Sequence, residues 1–160
     1  MPTPSASIEL SNAHAEFVEF LGNRKRARAT IVAYSKDIDQ LIVFLRDMGK
    51  RHVPEISKDE LTSFLTKLSK DGYTPKSISR KINSIKTFYR FLKSQGHVDA
   101  DPAGDISHPK YEVKPPRILS KVEYRALRDA CRDDARISAI VELFLQTGLR
   151  IGELATLSLE

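Results

Sequence analysis

Arg150 stands between two stretches of helical apolar spacing, and its chemistry is set by that placement. Upstream, Ile137, Ile140, Val141, Phe144 and Leu145 mark an apolar helix that runs into Gly148, a residue suited to the left-handed turn that stops helices. Downstream, Ile151, Leu154 and Leu157 recur at i, i+3 and i+6, so both flanks of the turn are expected to be buried. A guanidinium anchored between buried helices needs an anionic partner, and its planar fork matches a phosphate or a carboxylate. The plain alternative is a surface arginine ion-paired with Glu153 or Glu160.

A second constellation lies between Gly72 and Val98, where no Asp or Glu occurs while Lys76, Arg80, Lys81, Lys86, Arg90 and Lys93 are cationic. Thr74 as cap, Pro75 at the first helical position and Gly96 as stop frame one helix there. Ile78, Ile82, Ile85, Tyr89 and Leu92, widened by Phe88 and Phe91, form its apolar face. The opposite face reads Lys76, Arg80, Asn83, Thr87, Arg90 and Ser94, flanked by Ser77, Lys81 and Ser84. Solvated helix faces usually mix signs, because opposite charges at i,i+4 stabilise a helix by about 0.2–0.5 kcal/mol per pair. An acid-free face therefore points to a counter-charge from outside. Lys and Arg neutralise phosphates, and Ser, Thr and Asn can donate to phosphate oxygens or meet base edges. A merely basic bundle surface is the competing reading.

The elements that must position these residues are helical throughout, and the fold class read from the sequence is all-α. Leu10, Ala13, Phe17, Phe20 and Leu21 give a first helix ended by Gly22. The basic run Arg24-Lys25-Arg26-Ala27-Arg28 follows, with a solvated loop as its bland reading. Thr30 is expected to cap a long helix carrying Ile31, Tyr34, Ile38, Leu41, Leu45 and Met48. Ser57 with Glu60 reads as a capping box for a third helix bearing Leu61, Phe64, Leu65 and Leu68, which Gly72 closes. The helix framed by Thr74 and Gly96 is the fourth. Residues 99–118, with Pro102, Pro109, Pro115 and Pro116, read as an extended linker. In it Lys110, Lys114 and Arg117 could follow a phosphate backbone or merely span a gap. Ser120 with Glu123 opens a further helix that includes Cys131 as a small core residue. The domain reading is thus 1–98, a linker over 99–118, and 119–160.

Composition narrows the partners. Of 26 Lys and Arg, 17 lie in residues 1–98, against only 10 of the 21 Asp and Glu, so the net charge of +5 belongs to the first domain. His14, His52, His97 and His108 match no zinc spacing, and neither metal nor cofactor is expected. No long uncharged apolar run is present, and Met1–Ser7 lacks the features of a signal peptide, so no membrane partner and a cytoplasmic location are expected.

Thr30 to Leu45, then Gly72-Tyr73-Thr74-Pro75-Lys76-Ser77-Ile78-Ser79-Arg80-Lys81-Ile82, then Phe88-Tyr89-Arg90-Phe91-Leu92 and Gly96 resemble the SAM-like core-binding domain of Xer-type tyrosine recombinases (phage integrase family). Thr147-Gly148-Leu149-Arg150-Ile151-Gly152-Glu153-Leu154 resembles the first catalytic-arginine box of the same family. The resemblance covers nearly the whole chain. It departs at Asp101-Pro102, where the family usually has Asn before the proline. It implies a four-helix bundle forming half of a clamp on double-stranded DNA, then the first helices of a catalytic domain, with other recombinase protomers as partners in a tetramer on DNA. Carried onto this chain, it implies DNA contacts at Arg28, Thr30, Lys36, Lys76, Ser77, Arg80, Lys81 and Ser84. Arg150 becomes the catalytic clamp on the scissile phosphate, and Glu153 helps to hold its turn.

The family's reaction is a transesterification in which a tyrosine attacks the scissile phosphate and forms a 3′-phosphotyrosyl link. Its His-x-x-Arg element is not found: the residues three after each histidine are Phe17, Glu55, Ala100 and Tyr111. The tyrosines Tyr34, Tyr73, Tyr89, Tyr111 and Tyr124 all precede Arg150, whereas the family's nucleophile follows its first arginine. The expectation is a chain that binds DNA without cutting it, the DNA-binding portion of a site-specific recombinase. A stand-alone protein occupying recombination sites, or a helical module meeting an acidic protein, are the alternatives.

Overall fold

The computed structural model describes residues 7–113 and 115–158. The expectations placed on Met1–Ala6, Lys114 and Glu160 lie outside them. The chain divides into two compact units between Glu112 and Val113.

The first unit is a helical bundle. Helix α1 spans Leu10–Asn23, α2 Arg28–Asp47, α3 Lys58–Lys70 and α4 Pro75–Ser94, with a 3-10 turn at Val53–Glu55. Each apolar stripe turns inward because a one-sided helix is stable only with that side against a neighbour. Helices α2 and α4 each pack against the other three and together form the middle of the bundle. Phe17 meets Phe88 edge-on at 5.2 Å between ring centroids, and Phe44 lies 5.4 Å from Phe64. Leu41, Leu45, Leu61, Ile82, Ile85 and Leu92 close the core around them. Truncating one such aromatic ring, for example Phe88→Ala, costs about 3–5 kcal/mol where the cavity cannot collapse.

Local signals set most of the helix ends. The Ser57 hydroxyl accepts from the Asp59 amide, and the Glu60 carboxylate accepts from the Ser57 amide at 2.8 Å, completing the capping box. Thr74 caps α4 by accepting from the Ser77 amide at 3.2 Å. Gly72 and Gly96 take the left-handed conformation that closes α3 and α4, at φ 82° and 76°. Two expectations at helix ends are corrected. Helix α1 runs through Gly22 to Asn23, and α2 starts at Arg28, with Ala27 rather than Thr30 before its first turn. Thr30 already lies inside the helix, where its amide donates to the Ala27 carbonyl at 2.8 Å.

The first stretch of the segment read as a linker is part of this bundle. Ala103 and Ile106 are buried in the core. Asp101 folds the chain into a turn by accepting from the Ala103 amide at 2.9 Å, a role that Asp shares with Asn. Lys86 donates to the Gly104 carbonyl at 3.0 Å, and His108 pairs with Ser79 at 2.9 Å, so residues 103–108 are tied back along α4. Proline density marked an irregular path here, and two apolar side chains were enough to anchor it.

The second unit holds α5 (Lys121–Ala130), α6 (Ala135–Thr147) and α7 (Ile151–Ala155). Ser120 and Glu123 form the expected capping box, Asp134 caps α6, and Gly148 at φ 68° ends it. No residue of α5, α6 or α7 is buried. The expected burial on both flanks of Gly148 is therefore not found: Ile137 is 48% and Ile151 78% exposed, and Cys131, expected as a core residue after α5, is only half-buried.

Candidate nucleic-acid interface

Helices α2 and α4 pack side by side, and a buried carboxylate joins them. Asp37 of α2 is 1% exposed. It accepts from Arg80 Nη1 at 2.5 Å and Nη2 at 2.9 Å, from Lys81 Nζ at 2.8 Å and from Ser84 Oγ at 3.1 Å. Lys81 also donates to Gln40 Oε1 at 2.6 Å, and Gln40 Nε2 donates to the Tyr73 hydroxyl at 3.0 Å. The Lys81 ammonium lies 5.3 Å from the centre of the Tyr73 ring. Burying a carboxylate is costly unless partners replace its water, and four donors on two oxygens do so here.

This network corrects two of the DNA contacts carried over by resemblance. Lys81 and Ser84 are buried, and their polar atoms are turned onto Asp37, so they present no surface to a duplex. It also corrects the argument from the acid-free helix, because Arg80 and Lys81 take their counter-charge from α2, inside the molecule. One signal in the sequence could have shown this. Asp37 follows Tyr34 by three residues and precedes Leu41 by four, so it shares the apolar side of α2, a place where an acid calls for a partner.

Of the other expected contacts, Arg28, Lys36, Lys76, Ser77 and Arg80 line two clefts that share Arg80, and Thr30 lines neither. Arg28, Lys36 and Lys76 are exposed, Thr30 and Ser77 are half-buried, and the Arg80 side chain is 47% exposed. Arg80 lies on the boundary of two clefts. One, of about 390 Å³, is lined by Tyr34, Lys76, Ser77, Ser79, Arg80, Asn83 and Tyr111. The other, of about 620 Å³, is lined by Arg28, Ala29, Val32, Ala33, Lys36 and Arg80. Tyr34 and Tyr111 were not expected at a site, since neither belongs to a charged pattern. The basic run keeps its solvated reading: Arg24, Lys25 and Arg26 are exposed, and the Arg24 guanidinium lies 4.6 Å from the Phe20 ring centre.

In the second unit Arg150 is the residue before α7, directly after the Gly148 turn, and its side chain is 85% exposed. Glu153 accepts from the Arg150 amide at 2.8 Å and from Nη1 at 3.0 Å, fixing both the turn and one side of the guanidinium fork. The pairing with Glu153 offered as the plain alternative is thus present. It leaves most of the guanidinium open to solvent.

The first unit is thus an all-helical domain that gathers Arg, Lys and short polar side chains on adjoining clefts. Residues 15–96 match the family model described as "Phage integrase, N-terminal SAM-like domain". The chain belongs to the tyrosine recombinase family. It is 33% identical over 153 residues to the tyrosine recombinase XerD of Rickettsia bellii, covering 91% of this chain and 49% of that protein. Against the tyrosine recombinase XerC of Pseudomonas putida F1 it is 30% identical over 141 residues, covering 86% of this chain and 47% of the relative. The chain therefore spans about half the length of the curated relatives it matches. Among solved structures, a lambda integrase dimer bound to a COC′ core site shares the fold with a TM-score of 0.75 at 20% identity, over 96% of this chain and 43% of that one. A lambda integrase tetramer bound to a Holliday junction gives 0.73 at 20% identity, over 91% and 42%.

Proposed function

We propose that this chain is the core-binding portion, with the start of the catalytic domain, of a cytoplasmic site-specific recombinase, and that its α2–α4 face holds double-stranded DNA. The observation that carries the reading is the meeting of two basic clefts at Arg80. Arg28 and Lys36 line one of them and Lys76 with Ser77 the other. Cations and a hydroxyl on two packed helices suit phosphate oxygens, with Asn83, which is exposed, available to a base edge or a sugar. Thr30, on the same helix as Arg28 and Lys36, is a further proposed contact. Relatives bearing the name tyrosine recombinase, and lambda integrase structures solved on a core site and a Holliday junction, support DNA as ligand and other protomers as partners. The proposed domain limits are a bundle through residue 106, which the burial of Ala103 and Ile106 supports, then a connection, and the catalytic-domain portion from residue 119.

Arg150 is the phosphate clamp of this scheme. A preset guanidinium stabilises charge that develops on the non-bridging oxygens during transesterification. The Glu153 tether fixes one edge of the fork and leaves the rest for phosphate. In the whole recombinase, Arg150→Ala is expected to abolish covalent adducts on a nicked suicide substrate. Adduct formation at the unaltered rate would remove Arg150 from the reaction.

The DNA reading is tested by titrating duplex at several salt concentrations. Each phosphate contact adds about 0.9 to the slope of log affinity against log salt. Lys36→Glu with Lys76→Glu, two exposed sites, is expected to weaken binding and flatten that slope. Affinity that ignored salt and survived the double reversal would assign the face to an acidic protein instead.

A further inference from the structure

We infer that Asp37 is a positioning residue for DNA binding: from behind the basic face it holds the Arg80 guanidinium in the orientation that serves both clefts. The inference rests on the DNA reading above and assigns a role to an acid that no phosphate can touch.

An unrestrained arginine samples many rotamers and loses that freedom when it binds. Arg80 has lost it already. Both of its Nη atoms donate to the two oxygens of one carboxylate, at 2.5 and 2.9 Å, which fixes the plane of the guanidinium as well as its position. The carboxylate is itself immobile, because Lys81 and Ser84 hold it from within the bundle. A phosphate arriving at Arg80 therefore cannot pull Asp37 outward. The Nε–H and the second hydrogen of each Nη remain available, and they sit on a side chain 47% exposed at the junction of the clefts. The arrangement connects α2 to α4, so the phosphate contacts of Arg28 and Lys36 are held in register with those of Lys76 and Ser77.

Charge alone makes the opposite forecast. Asp37 is an anion a few ångströms behind a DNA face, and simple electrostatics says that removing it should tighten binding. Positioning says that removing it weakens binding. The sign of the effect separates them.

The test uses the full chain and a random-sequence duplex of fixed length, with affinity measured across salt and folding checked by thermal melts at the assay temperature. Asp37→Asn is expected to weaken binding about tenfold and to lower the salt slope by about one phosphate contact, although the protein has become more positive. Arg80→Lys, which keeps the charge but loses the fork, is expected to weaken binding comparably, and the double variant to be no weaker than either single one. Unchanged or tighter binding by Asp37→Asn overturns the inference. Should that variant not fold, Arg80→Lys decides alone, since its site is half-exposed, and wild-type affinity there overturns the inference. If the unaltered chain shows no salt-dependent binding, the DNA reading itself falls. If it binds and neither substitution weakens it, only the positioning role falls.

Discussion

Tyr89 is completely buried, and its hydroxyl has no hydrogen-bond partner among the described residues. Desolvation, with lesser contributions from the charges of Asp101 and Glu60, pushes its phenol pKa well up, so the group stays neutral at any ordinary pH. A buried donor that is not matched gives its helix little, and removing it leaves no partner stranded. Tyr89→Phe is therefore expected to be neutral or to stabilise the bundle by up to about 1 kcal/mol in urea unfolding. A loss of the size seen on emptying a core site would show that the hydroxyl is needed. Asp37 is the contrasting polar group: equally buried, but with four donors. Its identity as an acid was visible in the sequence and its partners were not, because they lie 43 to 47 residues away. A lone acid in an apolar stripe marks a buried pair without naming the other half.

At the scale of the element, helix starts depend on glutamates that reach back to cap them. The Glu60 carboxyl is lowered to about 2, first by the Ser57 hydroxyl and then by the Ser57 amide. Glu123 is lowered by the Ser120 amide and hydroxyl and by Arg117, and Glu55 by the Arg51 and His52 amides. A carboxyl with a depressed folded pKa contributes stability above its unfolded value and loses it as pH falls through the folded one. For Glu60 the loss runs from about 4.5 down to about 2. Thermal midpoints of Glu60→Gln should accordingly fall below wild type at neutral pH and converge with it near pH 2. A constant gap across that range would place the contribution elsewhere. These starts were legible in advance: Ser57 with Glu60, Ser120 with Glu123 and Thr74-Pro75 use partners within three residues. The Glu55 cap was missed because its acceptor works on the 3-10 turn at Val53–Glu55, which has no apolar period to announce it. The start of α2 was misplaced for a related reason, since no side chain caps it and Thr30 offered the nearest cap-forming type.

At the scale of the molecule, two units of unlike construction share one chain. Among the described residues, every buried residue of the core lies in the first, from Leu10 to Ile106, and the second has none in its three helices. Protection against hydrogen exchange follows burial and contact density. Amides of α5–α7 are thus expected to exchange well ahead of those in α1–α4, and equal protection would contradict that difference. The fold class and the family were legible because periodicity, caps and turn glycines are local and dense through residues 10–96. Burial around Arg150 was misjudged because helical spacing reports which side of a helix is apolar, not whether anything lies against it.

The return of residues 103–108 along α4 has a mechanical corollary. The chain reaches the far end of α4 at Gly96 and is then led back to Ser79, and Tyr111 forms part of the wall of the cleft that holds Lys76 and Arg80. The strand leaving the bundle is thus moored at the mouth of the site. Under the proposed DNA reading, a duplex seated there would press on the leash as well as on the helices, and the slack of the segment beyond would be measured from that mooring.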